Sequence, residues 1–222
     1  ERVTIIPNGC DIDLQNVRPD DVAAFRRRLF PDLRPEQPLV VYGGSMGLAH
    51  DPGWLVDVAV RMRRVDPEVR FALVGRGAEA EAVQARARAA GVLDDNLWFR
   101  GPVPKNEVPL LLQGAQMATS TAAGVRELED NSANKFFDAL AAGVPVALNY
   151  GGWQAELLER YGAGVLLRRA RPEEAAHRLR DALRDAPRMD RLRQGAQALA
   201  REQFDREMLT STLERVLVQA AA

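Results

Sequence analysis

The chain of 222 residues carries 30 lysine and arginine side chains against 31 aspartate and glutamate side chains, for a net charge of −1. This length allows one domain with a substantial core and is too short for two full Rossmann-like domains. The interspersed charges argue against an extended nucleic-acid surface, so nucleic acid is not an expected partner. Because the chain begins with Glu1 rather than methionine, we expect it to be the C-terminal half of a longer protein.

Cysteine and histidine are scarce. Cys10 is the single cysteine, and we expect it to be structural because no Cys–His constellation accompanies it. His50 and His177 are too few for a histidine-based metal site. The sequence shows no secretory leader and no apolar run long enough to span a membrane, so the reducing cytoplasm is the expected location.

Short apolar runs alternate with helical patterns along the whole chain. This alternation predicts an α/β fold, with a Rossmann-like parallel sheet covered by helices on both faces. The predicted strands are Val3–Ile6, Leu39–Tyr42, Arg70–Val74, Leu97–Phe99, Met117–Thr119, Val144–Leu148 and Gly164–Leu167. The predicted helices lie near 20–29, 53–64, 78–90, 105–113, 133–142, 152–160, 172–184, 188–202 and 206–219.

Ligands bind beyond the carboxyl ends of the strands in such a sheet, so the loops that follow strands are candidate sites. The loop at 43–50 contains three glycines, which let a backbone approach a bulky anion closely, although a flexible connection is an equal alternative. The loop at 75–80 fits a loose G-x-G-x-x-A pattern. That pattern is weak evidence for NAD, because the dinucleotide fingerprint belongs on the first strand of its unit.

Two further features follow strands. Gly101 and Val103 lie in the loop after the predicted strand Leu97–Phe99, so they are candidate ligand contacts, although a plain turn explains Gly101 equally well. Trp153 follows a glycine pair at a strand end and is a candidate to face a bound ligand, whereas Trp54 and Trp98 are predicted core residues.

The segment at 130–152 combines polar chemistry with core geometry. Ser132 is a predicted N-cap, and an apolar stripe at helical spacing follows it. Lys135 and Asp138 then lie three residues apart on one face of the helix. Gly143 suits the left-handed turn after a helix, and a short buried strand comes next.

The amino end of this helix, at 131–135, is chemically suited to phosphate because helix N-termini carry unpaired N–H groups and partial positive charge. Lys105 and Lys135 are the only lysines among the 30 basic residues, which suggests that position 135 needs a compact ammonium. The alternative is an ordinary capped helix with a solvated Lys–Asp pair.

This segment resembles the E-x7-E region of the retaining glycosyltransferases of family 4, which have the two-domain GT-B fold. Asp130 and Asp138 keep the spacing with both acids shortened, and the Ala-rich helix and G-x-P-V strand follow at 139–146. The I-P-N-G-C-D run at 6–11 resembles the opening of the donor-binding domain, and Phe204-Asp205 with the final helix resembles its close. The N-S-x-N-K-F-F-D and N-Y-G-G-W-Q runs are similar to a bacterial branch that transfers N-acetylated amino sugars in surface-polysaccharide assembly.

The resemblance implies a role for each matching residue. Lys135 and the helix start would stabilise the leaving phosphate, Asp138 would bind the ribose hydroxyls, and Asp130 with Asn131 would orient the sugar. Glu127 and Glu129 remain rival acids for the sugar. The implied catalytic residues are Lys135, Asp130 and Asp138, and the implied donor-binding residues are Gly44, Ser45, Gly47, His50, Arg76, Gly101, Val103, Asn131, Ser132 and Asn134.

One departure from the family pattern concerns charge. Most members have an arginine and a lysine where this chain has Ser45 and His50. Lys135, Arg76 and backbone N–H groups would therefore have to neutralise more of the charge on the leaving group.

The resemblance implies that the chain is the donor-binding half of a GT-B enzyme. It would move a hexose or N-acetylated amino sugar from a nucleotide diphosphate sugar, with UDP expected, to a glycan or lipid-linked acceptor with retention. No metal or cofactor is expected, and the isolated domain is expected to be inactive without its N-terminal partner domain. A lipid-linked acceptor would bring the full-length protein to the inner face of the plasma membrane. The alternatives are a non-catalytic nucleotide-binding module and, less favoured, an NAD-dependent oxidoreductase domain.

Overall fold

Six parallel strands form one sheet in the computed structural model, which describes residues 3–221 apart from the side chain of residue 15. The strand order is β3-β2-β1-β4-β5-β6, and helices cover both faces, which confirms the predicted Rossmann-like fold. The strands are β1 Leu39–Ser45, β2 Arg70–Arg76, β3 Leu97–Arg100, β4 Met117–Ser120, β5 Val146–Leu148 and β6 Gly164–Leu166.

The helices lie close to the predicted ranges. They are α1 Pro19–Leu29, α2 Trp54–Val65, α3 Ala80–Ala89, α4 Val108–Gln113, α5 Asn134–Ala141, α6 Trp153–Tyr161, α7 Pro172–Leu183, α8 Ala186–Gln203 and α9 Arg206–Ala221. Short 3₁₀ turns that the sequence did not reveal lie at Ile12–Gln15, Leu48–His50 and Arg126–Asp130. A further 3₁₀ turn, Lys105–Glu107, forms the first part of the predicted helix at 105–113.

The core has two layers, one on each face of the sheet. Leu39 and Val41 of β1 pack in the layer that includes residues of α1, α4, α5 and α6. Val40 and Tyr42 pack in the opposite layer with residues of α2, α3 and α7. Strands buried on both faces read as continuous apolar runs, which is why β1 was predictable from its sequence.

Two predicted strands need correction. Val3–Ile6 is not a strand, and Val3 and Ile5 are 81% and 86% exposed, because the segment lies outside the sheet. The fifth strand begins at Val146 rather than Val144, since the Val144 N–H donates to the carbonyl of Ala139 and closes the end of α5. The expectation that the chain is the C-terminal half of a longer protein rests on Glu1, which lies outside the described part of the chain.

The last helix packs lightly on the rest of the domain. None of the described side chains of α9 is buried, and Met208, Leu213, Leu217 and Val218 are exposed. Within residues 3–221, none of the helices combines the length and the apolar character needed to cross a lipid bilayer.

The strand order places a crevice beside β1. The chain builds β2 and β3 on one side of β1 and then returns to place β4 on the other side. The loops that leave β1 and β4 therefore diverge, and this opening at the carboxyl ends of the strands is where α/β proteins of this type bind ligands.

Candidate functional site

A cavity of about 460 Å³ opens at the carboxyl ends of the strands, beside this crevice. Its polar wall comes from the carboxyl ends of β1 and β2 and from the first turns of α5, and its apolar wall comes from α4 and the loop before it. The residues around it are Gly43, Gly44, Ser45, His50, Val74, Gly75, Arg76, Pro102, Val103, Val108, Leu111, Leu112, Ala118, Thr119, Ala133, Asn134, Lys135 and Asp138.

The glycine-rich carboxyl ends of β1 and β2 pair directly with each other, with Gly44 opposite Gly75. Gly75 has a φ of 150°, and a Cβ atom there would overlap the backbone of Gly44. The pairing continues just beyond the strands, where the N–H of Met46 donates to the carbonyl of Arg76 at 2.9 Å and the N–H of Glu79 donates to the carbonyl of Met46 at 2.9 Å. Close approach of the two strand ends therefore explains the glycine at position 75, and the G-x-G pattern is not by itself evidence for a dinucleotide.

Lys135 projects from the first turn of α5 into the cavity. Burial lowers the pKa of its ammonium from 10.5 to about 8, and Nζ lies 5.1 Å from the centre of the Tyr42 ring. Among the described residues, no carboxylate forms an ion pair with it. A partly desolvated cation without a bound anion is electrostatically prepared for an anionic ligand.

The other ionisable groups of the wall are Arg76, His50 and Asp138. Burial and the neighbouring Lys135 charge lower the pKa of His50, so its imidazole is neutral at pH 7. Burial raises the pKa of Asp138, and the nearby Lys105 opposes that shift. Lys135 and Arg76 therefore outweigh the single carboxylate. Across the described residues, His, Cys, Asp and Glu side chains nowhere gather in threes as a metal site would require.

The apolar wall contains residues that the sequence did not single out. Val108, Leu111 and Leu112 of α4 line the cavity together with the predicted Val103. The pattern of α4 showed its apolar face, but it could not show that part of this face borders a cavity rather than the core. The only sequence feature that pointed to a role in the cavity was that α4 follows a loop at the end of a strand.

Five of the predicted site residues lie outside the cavity wall. They are Gly47, Gly101, Asp130, Asn131 and Ser132. Asp130 ends the exposed 3₁₀ turn Arg126–Asp130. The predicted roles of these residues in donor binding remain predictions.

The predicted N-cap is wrong by one residue. Ala133 is the N-cap of α5 and forms no side-chain cap, whereas the exposed Ser132 accepts a hydrogen bond on its carbonyl from Asn8 Nδ2 at 3.1 Å. The side chain that holds the start of the helix belongs to Asn131, whose Oδ1 accepts from the Ala133 N–H at 3.2 Å. The predicted left-handed turn at Gly143 is confirmed by a φ of 67°.

Trp153 does not face the cavity. Its ring lies about 6 Å from the rings of Phe136, Phe137 and Phe204, in an aromatic cluster between α5, α6 and the end of α8. Packing among other rings stabilises a large aromatic side chain. This explains why Trp153 does not face the cavity although it follows a glycine pair at a strand end. Trp54 and Trp98 are core residues as predicted, at 4% and 5% exposure. Cys10 is also buried, and its pKa is raised to about 12, chiefly by burial, as a structural thiol requires.

A family model described as "Glycosyl transferases group 1" matches residues 37–185. The matched range begins just before β1 and includes every residue of the cavity wall. The chain belongs to this family of glycosyl transferases. Membership opposes the reading of the 75–80 loop as part of an NAD-dependent oxidoreductase. No curated protein matches the chain.

Solved structures share the fold of this glycosyl transferase domain at low sequence identity. Anabaena Alr3699/HepE in complex with UDP-glucose has a TM-score of 0.81 at 20% identity, over 97% of this chain and 57% of that one. Sucrose-phosphate synthase from Thermosynechococcus elongatus has a TM-score of 0.79 at 18% identity, over 99% and 53%. The C-terminal domain of the group 1 protein LpcC from Francisella tularensis has a TM-score of 0.68 at 14% identity, over 89% and 100%. This chain thus spans little more than half of the first two proteins.

Proposed function

We propose that the cavity binds the nucleotide diphosphate of a UDP-linked sugar and that this domain is the donor-binding half of a retaining glycosyltransferase. The observation that carries the proposal is Lys135, a partly desolvated ammonium in a cavity bounded by the glycine-rich end of β1. Membership in the glycosyl transferase family gives this anion site its substrate class. The Anabaena protein, which shares the fold, was crystallised with UDP-glucose, and this supports UDP as the nucleotide.

The proposed chemistry needs positive charge on the leaving-group side. When the bond between the anomeric carbon and the phosphate oxygen breaks, negative charge develops on the departing diphosphate, and preorganised donors stabilise it. Lys135 and Arg76 supply the two cations of the wall. Asp138, which α5 contributes to the cavity wall, is proposed to bind the ribose. Retention follows from the family resemblance, with the acceptor hydroxyl attacking on the leaving-group face and the donor phosphate accepting its proton.

The rest of the enzyme is also part of the proposal. The sugar is a hexose or an N-acetylated amino sugar, and the acceptor is a glycan or a lipid-linked glycan bound by a second domain of the same protein. The isolated domain is therefore proposed to bind the donor without transferring its sugar. Independence from metal ions and cofactors, a cytoplasmic location and association with the membrane through the acceptor come from the same resemblance.

A binding panel tests the proposal. Isothermal titration calorimetry of the domain should show binding of UDP and UDP-sugars, weaker binding of UMP because one phosphate is missing, and no binding of NAD⁺ or NADH. A thermal-shift assay with the same compounds should give the same order, since a ligand that binds the folded state raises its stability. Binding of NADH with no response to UDP would refute the donor-site assignment.

The affinity for UDP should fall as the pH rises above 8. The free domain holds the Lys135 proton with a pKa of about 8, and a bound diphosphate raises that pKa, so binding above pH 8 requires uptake of a proton. Between pH 7.5 and 9.5 we expect a loss of about 20-fold. Lys135→Arg provides the matched control, because a guanidinium stays charged throughout and should give a flat profile. A flat profile for the parent would contradict the assignment.

A further inference from the structure

Hydrogen bonds link three loops at the carboxyl edge of the sheet, with Gln154 at their centre. Gln154 lies in the first turn of α6 and is 0% exposed. The Tyr150 hydroxyl lies 2.9 Å from Ser120 Oγ at the end of β4 and donates to Gln154 Oε1 at 2.5 Å. Burial raises the pKa of Tyr150, so its hydroxyl keeps the proton that it donates. Gln154 Nε2 donates in turn to the carbonyl of Asn131 at 3.2 Å.

Asn131 carries this connection to the start of α5. Its Nδ2 donates to the carbonyl of Leu128 at 2.6 Å, and its Oδ1 accepts from the N–H of Ala133 at 3.2 Å. Ala133 is the N-cap of α5 and makes no side-chain cap of its own. The first turn of α5, which includes Lys135, is therefore held by a residue that Gln154 holds in place.

The turn before Gln154 contacts the segment that leads into α5. Gly152 has a φ of 82°, and a Cβ atom there would lie 2.5 Å from the carbonyl oxygen of Glu129. The 3₁₀ turn Arg126–Asp130 thus packs directly against Gly152. The adjacent Trp153 packs in the aromatic cluster and so holds the start of α6 in place. The Y-G-G-W-Q run at 150–154 therefore packs against the segment that leads into α5 and supports it.

We propose that Gln154 is a positioning residue for the sugar donor: by holding Asn131, it sets where the first turn of α5 and the Lys135 ammonium meet the diphosphate. The inference rests on the proposed function of the cavity. Gln154 is absent from the cavity wall, so it acts without touching the ligand. A buried amide bonded at both ends is a rigid connector, because breaking either bond leaves buried polar groups unpaired.

The test is Gln154→Met, which keeps the length of the side chain and removes both hydrogen bonds. We expect UDP affinity at pH 7 to fall by about tenfold while the affinity for uridine, followed by NMR titration, stays within about twofold. The pH midpoint of UDP binding should also move up from its parent value, because a less firmly held ammonium gains water and a higher pKa. Tyr150→Phe, which removes one link and retains the ring, should change both quantities in the same direction by a smaller factor.

Asn96→Leu is the matched control for loss of a buried polar side chain. Asn96 is 1% exposed and donates to the carbonyl of Ala59 at 2.8 Å, just before β3 at the opposite edge of the sheet. It should alter stability without moving the UDP affinity or the pH midpoint. The inference is refuted if Gln154→Met leaves both UDP readouts at parent values, or weakens UDP and uridine equally. Failure of the parent to bind UDP would instead refute the proposed function.

Discussion

Lys135→Met should weaken UDP binding by about 100-fold at pH 7, which corresponds to loss of one charge-assisted contact to phosphate of about 3 kcal/mol. The methionine side chain keeps the apolar stem beside Tyr42 and removes only the charge. Calorimetric titration of UDP gives the affinity. Because uridine carries no phosphate to meet the ammonium, its affinity should be nearly unchanged.

The same substitution should stabilise the empty domain. Burial lowers the Lys135 pKa to about 8, so the folded state disfavours the ammonium relative to the unfolded chain, whose lysine titrates near 10.5. At pH 7 this cost is fully present, and it should be on the order of 3 kcal/mol. Between pH 8 and 10.5 the unfolded chain binds more protons, so the stability of the parent should rise towards that of Lys135→Met.

Chemical denaturation at pH 7 and pH 10 measures this difference. Arg88→Met is the matched control, since Arg88 is an exposed cation near the end of α3, away from the carboxyl ends of the strands. It should change neither the UDP affinity nor the stability appreciably. Lys135→Met that binds UDP like the parent would remove the central support for the proposed function.

Phe136→Ala should destabilise the domain by about 3–5 kcal/mol, the usual cost of deleting a fully buried aromatic ring. Phe136 is 0% exposed and packs edge to face on Phe137, Trp153 and Phe204 at 5.3 to 6.1 Å. These rings belong to α5, α6 and the end of α8, so their cluster joins three helices. Urea denaturation followed by circular dichroism measures the loss.

Leu213→Ala is the control for loss of apolar volume, because Leu213 of α9 is 44% exposed. It should change the stability by less than about 0.5 kcal/mol. A cost below about 1 kcal/mol for Phe136→Ala would show that the cluster is loosely packed. In that case α5 would not be a rigid carrier for Lys135.

Features that depend on local pattern were predictable from the sequence. The strand β1 appears as an uninterrupted apolar run, and the apolar spacing of Phe136, Phe137 and Leu140 indicates α5. The alternation of strands and helices indicates a parallel sheet, and the position of Gly143 indicates where α5 ends. From these elements alone it follows that Lys135 lies at the carboxyl edge of the sheet, because α5 begins there.

Features that depend on contacts between distant segments were not predictable from the local sequence pattern. The isolated run Val3–Ile6 resembles a strand, but the sheet provides no place for it. The glycine pair before Trp153 suggests a ligand-facing residue, whereas the structure places its ring in the aromatic cluster. The glycine at 75 is required by its contact with Gly44 of β1, which no spacing within its own segment reveals.

The sequence by itself therefore determined the fold class and the family resemblance and led to the prediction that Lys135 meets phosphate, because hydrophobic period and residue chemistry are local properties. Only the tertiary structure decided that α4 supplies the apolar wall, that Asn131 rather than Ser132 holds the start of α5, and that Gln154 is buried against it. The physical reason is that these facts depend on contacts between segments far apart in the chain. Packing, not the local pattern of residues, selects which polar groups are paired and which face a cavity.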